Sequence, residues 1–147
     1  QYCDAAARCG GQASEACQTS CQQQVAAGAL QSGYLDQLYD CVTGLAEPCN
    51  SLDLDDCLSA AQAQCSPAAG LDAFVADYCE RFLSCQDYDP AEWLDGCIQD
   101  VEAMNDYRVY RCSSDAALDK LGQCAAAADC DQLVAVALLD LCGEVYE

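Results

Sequence analysis

The sequence predicts an all-α fold, a tandem pair of small helical repeats of about four helices each, stapled by disulfides. Three observations lead there. Apolar residues recur at helical spacing behind strong capping signals, cysteines are dense and lie on those apolar stripes, and one cysteine pattern occurs twice. No segment alternates with period two for long enough to make a convincing strand.

The helices can be taken in order. Ser14 is placed to cap a helix through Cys17-x-x-x-Cys21, which sets the two cysteines one turn apart on one face. Ser32 precedes Tyr34, Leu35, Leu38, Cys41, Val42 and Leu45, an i, i+3, i+4, i+7 stripe. Ser51 opens a segment with three acids in its first turns, where the helix dipole favours them. Leu71, Phe74, Val75, Tyr78 and Phe82 form the next stripe. Asp89-Pro90-Ala91-Glu92 is a strong start signal: Asp caps, Pro occupies the first helical position and Glu completes a capping box. Trp93, Leu94, Cys97, Ile98, Val101 and Met104 follow as a broad apolar face. Ser114 opens Leu118, Leu121, Cys124, Ala125 and Ala128, and a last helix is expected from about Asp131 through Leu141.

These stripes are poor in bulk. The chain of 147 residues is 53% apolar, but that fraction includes 26 alanines and 15 cysteines, with only two Phe and one Trp. Alanine favours helix and buries little area, so packing alone offsets the lost conformational entropy with difficulty. Cross-links are the usual remedy. One cysteine in ten reads as a disulfide framework formed in an oxidising compartment. A zinc protein would show C-x-x-C knuckles, often with His; the sequence contains neither.

Two anchors recur in the same order. Tyr2-Cys3-x5-Cys9 matches Tyr78-Cys79-x5-Cys85, and Leu35-Asp36-x-Leu38-x-x-Cys41 matches Leu118-Asp119-x-Leu121-x-x-Cys124. Between and beyond them Cys17 aligns with Cys97, Cys49 with Cys130 and Cys65 with Cys142. The expected organisation is a first repeat over residues 1–66, a linker over 67–70 containing Pro67 and Gly70, and a second repeat over 71–147. Connectivity does not follow from spacing. All cysteines but one are expected in structural bridges: Cys3, Cys9, Cys17, Cys21, Cys41, Cys49, Cys57, Cys65, Cys79, Cys85, Cys97, Cys124, Cys130 and Cys142.

The run Cys79-x5-Cys85, Cys97, Cys112-x11-Cys124-x5-Cys130 and Cys142, interleaved with Leu-Asp-x-Leu-x-x-Cys, resembles that of Cys-rich helical secreted proteins and lipoproteins of myxobacterium-like bacteria. The resemblance covers nearly the whole chain and implies location and fold, with no particular chemistry. The first half departs from it, with Ala29 where Cys112 would align.

An odd number of cysteines leaves one thiol free or paired between chains. Cys21, Cys57 and Cys112 have no counterpart in the other half. If Cys21 and Cys57 form an extra bridge, Cys112 is left as the candidate interchain or free thiol; the alternative is a bridge from Cys112 across the two halves. Cys112 follows Tyr107, Arg108, Val109, Tyr110 and Arg111, the densest basic and aromatic stretch of the chain. Arg and Tyr are enriched in interfaces, so Tyr107, Arg108, Tyr110 and Arg111 are the candidate subunit contact.

Charge and motifs narrow the function. At −20, with 25 acids against five bases, nucleic acid and anionic lipid are not expected partners. No run of apolar residues is long enough for a membrane helix. The start at Gln1, with Cys3 close behind, fits a mature secreted chain. Without His, no Ser-His-Asp or Cys-His site is possible, and Lys120 has no Ser-Lys motif around it. Asp53-x-Asp55-Asp56 and Asp87-x-Asp89-x-x-Glu92 cluster oxygens but lack the glycine and length of an EF-hand; both read better as helix starts. No cofactor and no enzyme activity are expected. The expected function is a secreted, extracellular structural protein that self-associates in a fibre, matrix or surface assembly. The alternative is a monomeric secreted module that binds a small apolar ligand or a protein.

Overall fold

The computed structural model describes residues 2–10, 15, 18, 28–104 and 106–146. Most of the stretch from Ser14 through Cys17 to Cys21, with its expected helix, lies outside them. The described residues form α1 (Tyr2–Arg8), α2 (Ser32–Thr43), α3 (Ser51–Ala63), α4 (Leu71–Cys85), α5 (Pro90–Ala103), α6 (Tyr107–Cys112), α7 (Asp115–Ala127), α8 (Cys130–Ala135) and α9 (Leu138–Cys142). A 3-10 turn over Gly143–Tyr146 follows, and the described residues contain one isolated antiparallel bridge and no strand. The protein is all-α and disulfide-stapled.

Among the described residues, two clusters of buried residues make the interior. The smaller joins Ala5 and Ala6 of α1 to Leu38 and Val42 of α2 and to Cys57 and Ala61 of α3. The larger is centred on α4, whose Leu71, Phe74, Val75 and Cys79 are buried against α5, α7 and α8. Leu118 and Leu121 of α7 and Leu133 of α8 meet them there. Every residue of the smaller cluster precedes Gln62, and every residue of the larger one follows Pro67.

Local chemistry explains the ends. Asp89 accepts the amide of Ala91 at 3.0 Å with Pro90 next to it, and Ser114 accepts the amide of Ala117 at 3.3 Å. The start of α3 is stronger than expected. Asn50, rather than Ser51, is the cap: its side chain accepts from Leu52 at 2.8 Å while Asp53 accepts from the Asn50 amide at 2.8 Å, a complete capping box. α4 ends in a Schellman motif, with Tyr88 N–H on Leu83 O at 3.0 Å and Asp87 N–H on Ser84 O at 3.3 Å. Asp87 takes the left-handed position of that motif, φ 58°, where glycine is commoner.

Two expectations change. The single last helix is broken at Val136, which is extended (φ −125°, ψ 138°), leaving α8 and α9. The reason is geometric. Residues five apart on one helix point about 140° away from each other, yet Leu133 and Leu138 are both buried here, at 1% and 2% exposure. The break turns both inward. On α5 the apolar face is narrower than its sequence: Val101 is buried and Leu94, Cys97 and Ile98 pack partly, while Trp93 and Met104 stand exposed.

Candidate functional site

Six disulfides join the described residues: Cys9–Cys49, Cys41–Cys57, Cys65–Cys112, Cys79–Cys97, Cys85–Cys130 and Cys124–Cys142. Cys3 is disulfide-bonded as well. Cys17 and Cys21 lie outside the described residues. The six aligned cysteines of the second half bond to one another, and in the first half Cys9–Cys49 uses the positions aligned with Cys85–Cys130. The first half departs elsewhere. Cys41 pairs with Cys57, so the extra bridge from Cys57 to Cys21 does not form, and Cys57 takes the place assigned to Cys65.

That exchange releases Cys65 to reach Cys112, with Cα atoms 5.2 Å apart. Cys112 is therefore neither free nor an interchain thiol. It is 1% exposed at the end of α6, where no second chain can reach it. Tyr110 is corrected too: at 4% exposure it sits in the larger core, edge-to-face on Phe74 at 5.3 Å, and is not available as a subunit contact. Tyr107 is half-buried. Arg108 and Arg111 are exposed, and among the described residues no ion pair holds either.

The sequence from Arg111 to Asp115 acts as a seam. Leu30 and Ser113 form the antiparallel bridge, with Gln31 N–H donating to Cys112 O at 2.9 Å and Ser114 N–H to Ala29 O at 2.8 Å. The Gln31 side-chain amide donates to Ser66 O at 2.8 Å and Ser113 O at 3.1 Å. Ser114 Oγ donates to Gly28 O at 2.9 Å, and Asp115 accepts the Gly70 amide at 3.0 Å. Gly28 has φ 60°, a left-handed conformation that costs glycine nothing. Through these contacts the α6–α7 junction grips both the segment before α2 and the segment after α3.

Beneath the seam lies a buried polar contact. Ser113 is fully buried; its hydroxyl donates to Val109 O at 2.8 Å and meets Tyr146 Oη at 2.7 Å. Tyr146 touches it, and Tyr110 lies within electrostatic reach of both Tyr78 and Tyr146. Burial is the largest cause that raises each phenol above its ordinary value, with Asp106 adding repulsion at Tyr78 and Tyr110; at Tyr146 the Ser113 hydrogen bond acts in the opposite direction. A raised folded pKa means the fold holds the phenolic proton more tightly than the unfolded chain does. The associated stability is present below about pH 10, the unfolded value, and is lost as pH rises through the higher folded values. In an alkaline titration, part of the tyrosinate absorbance of the eight tyrosines is expected to emerge only together with loss of helical circular dichroism. Complete ionisation with the helices intact would contradict this.

The acidic clusters are explained as helix starts, with Asp53 and Asp89 in caps. Among the described residues, no group of three or more His, Cys, Asp or Glu side chains is arranged to hold a metal ion. A surface depression is lined by Arg8, Glu47, Pro48 and Cys49, and is crossed by an exposed Arg8–Glu47 ion pair at 2.8 Å. No described helix is long and apolar enough to cross a membrane.

One surface feature was missed in the sequence. Tyr88 and Trp93, each 50% exposed, stand with ring centroids 5.8 Å apart at the α4–α5 turn. The sequence places Trp93 on the apolar face of α5, yet its ring stands half-exposed. The Schellman turn at Asp87 and the cap at Asp89 bring the two rings together outside. Comparison with known proteins finds no matching family model, no matching curated protein and no matching solved structure.

Proposed function

We propose that this is a secreted structural protein that performs no catalysis and associates with copies of itself in an extracellular fibre, matrix or surface layer. The observation that carries the reading is the distribution of the bridges. Every α-helix from α1 to α9 contains a bonded cysteine. Such bonds persist in oxidising surroundings, and a body stapled at every helix opens slowly and resists proteases. That is the durability an extracellular building unit needs. The resemblance of the cysteine pattern to secreted Cys-rich helical proteins of myxobacterium-like bacteria agrees with this location.

The exposed Tyr88–Trp93 pair favours a second reading, a monomeric module with a binding surface. Sedimentation velocity and electron microscopy of the oxidised protein at physiological ionic strength separate the two. Mass rising with concentration, and ordered polymers on the grid, are expected. A 15.6 kDa monomer at every concentration would sink the structural reading and leave the binding module.

A further inference from the structure

We propose that copies of this chain join head to tail, the exposed arginines of α6 in one copy seating on the Tyr88–Trp93 pair of the next. The inference rests on the self-association proposed above and names its contact. Its first support is charge. At −20, two copies repel unless an acidic surface of one meets a basic surface of the other. The choice of basic surface is narrow. Of the five bases, Arg8 is held by Glu47 and Arg81 turns its guanidinium to the Ala128 carbonyl at 3.1 Å. Lys120 stands alone on α7. Only Arg108 and Arg111 form a pair, exposed and three residues apart on one helix, so they share a face.

The second support is the matching surface. Tyr88 and Trp93 are half-exposed rings tilted by 48°, and Asp87, Asp89 and Glu92 around them are all exposed. Aromatic faces attract guanidinium groups, and carboxylates beside them add directed hydrogen bonds. Among the described residues no cation of the same chain sits on this pair.

The third support is placement. Trp93 lies in the first turn of α5, while Arg108 and Arg111 lie beyond its far end. Two different patches on one body make a heterologous contact. Repeated, it generates an open polymer or a ring rather than a two-fold dimer.

The test uses two oxidised variants of the full chain, both checked for native helical circular dichroism. One is Arg108→Glu with Arg111→Glu; the other is Tyr88→Ser with Trp93→Ser. Each alone is expected to lose assembly and sediment as a monomer. An equimolar mixture is expected to reach twice the monomer mass and stop, because each member keeps the one patch the other needs. Should either double variant misfold, Arg108→Gln or Trp93→Ala alone is expected to weaken assembly at least tenfold. Wild-type polymers with variants that assemble unchanged would overturn this contact and leave the structural reading standing. So would a mixture that stays monomeric. A wild-type chain that never assembles would overturn both.

Discussion

Full reduction is expected to abolish the cooperative fold at neutral pH and room temperature. Removing one native bridge from a small secreted domain costs about 2–5 kcal/mol, and a whole domain is stable by only about 5–15 kcal/mol. Six bridges among the described residues therefore outweigh the reserve even if their effects fall well short of adding. The interior gives little in compensation. Three of the six buried residues of the smaller cluster are alanines: Ala5, Ala6 and Ala61. Burying a methyl side chain returns a fraction of what a leucine does. Repulsion among 25 acids acts against the compact state in both halves. The larger cluster, with Leu71, Phe74, Leu118 and Leu121, should hold longest during stepwise reduction. Circular dichroism of the reduced chain, alkylated with a neutral reagent, provides the measurement. Hydrogen exchange would show α1–α3 losing protection first. A reduced chain that keeps its helicity and melts cooperatively would show that packing suffices without the bridges.

Caps and stripes were legible because they are local. Asp89-Pro90 and Ser114 need only the next few residues to act, and α4 carries its stripe along one face. The Asn50–Asp53 box is equally local, yet was overlooked because Asp is less usual than Glu or Gln as the reciprocal partner. The break at Val136 was hidden for a different reason. Leu133, Val136, Ala137 and Leu141 read as one helical stripe, and only the burial of Leu133 together with Leu138 demands a bend. Bridge partners are decided by how helices meet in space, so moving one match from Cys65 to Cys57 changed the fate of Cys112. The arginine and tyrosine run of α6 was divided the same way. Tyr110 and Cys112 are taken up by the interior, while Arg108 and Arg111 stay exposed. The seam gives no periodic signal at all, since it consists of backbone groups around Leu30 and Ser113.

Cys65→Ala combined with Cys112→Ala is expected to uncouple the two parts of the molecule. Among the described bridges, Cys65–Cys112 alone joins a residue before Ser66 to one after Gly70. It closes 47 residues of sequence, and the Cys79–Cys97 bridge inside that span shortens the effective loop. Chain-entropy arguments then assign it about 3–4 kcal/mol. Alanine is the suitable replacement because both positions are buried, and a serine hydroxyl at either would add a desolvation cost. What remains at the seam is the Leu30–Ser113 bridge, the Gln31 side chain, the Ser114–Gly28 hydrogen bond and the Asp115–Gly70 contact. Net worth is about 1 kcal/mol for a typical hydrogen bond, so these hold the parts together weakly once the covalent tie is gone. Two consequences follow for calorimetry. The main transition should fall by about 10 °C. The single endotherm should also split, the cluster of α1–α3 melting below that of α4–α9, because each core then unfolds on its own. A lone transition within about 2 °C of the parent would mean that the hydrogen-bonded seam, and not the disulfide, couples the two cores.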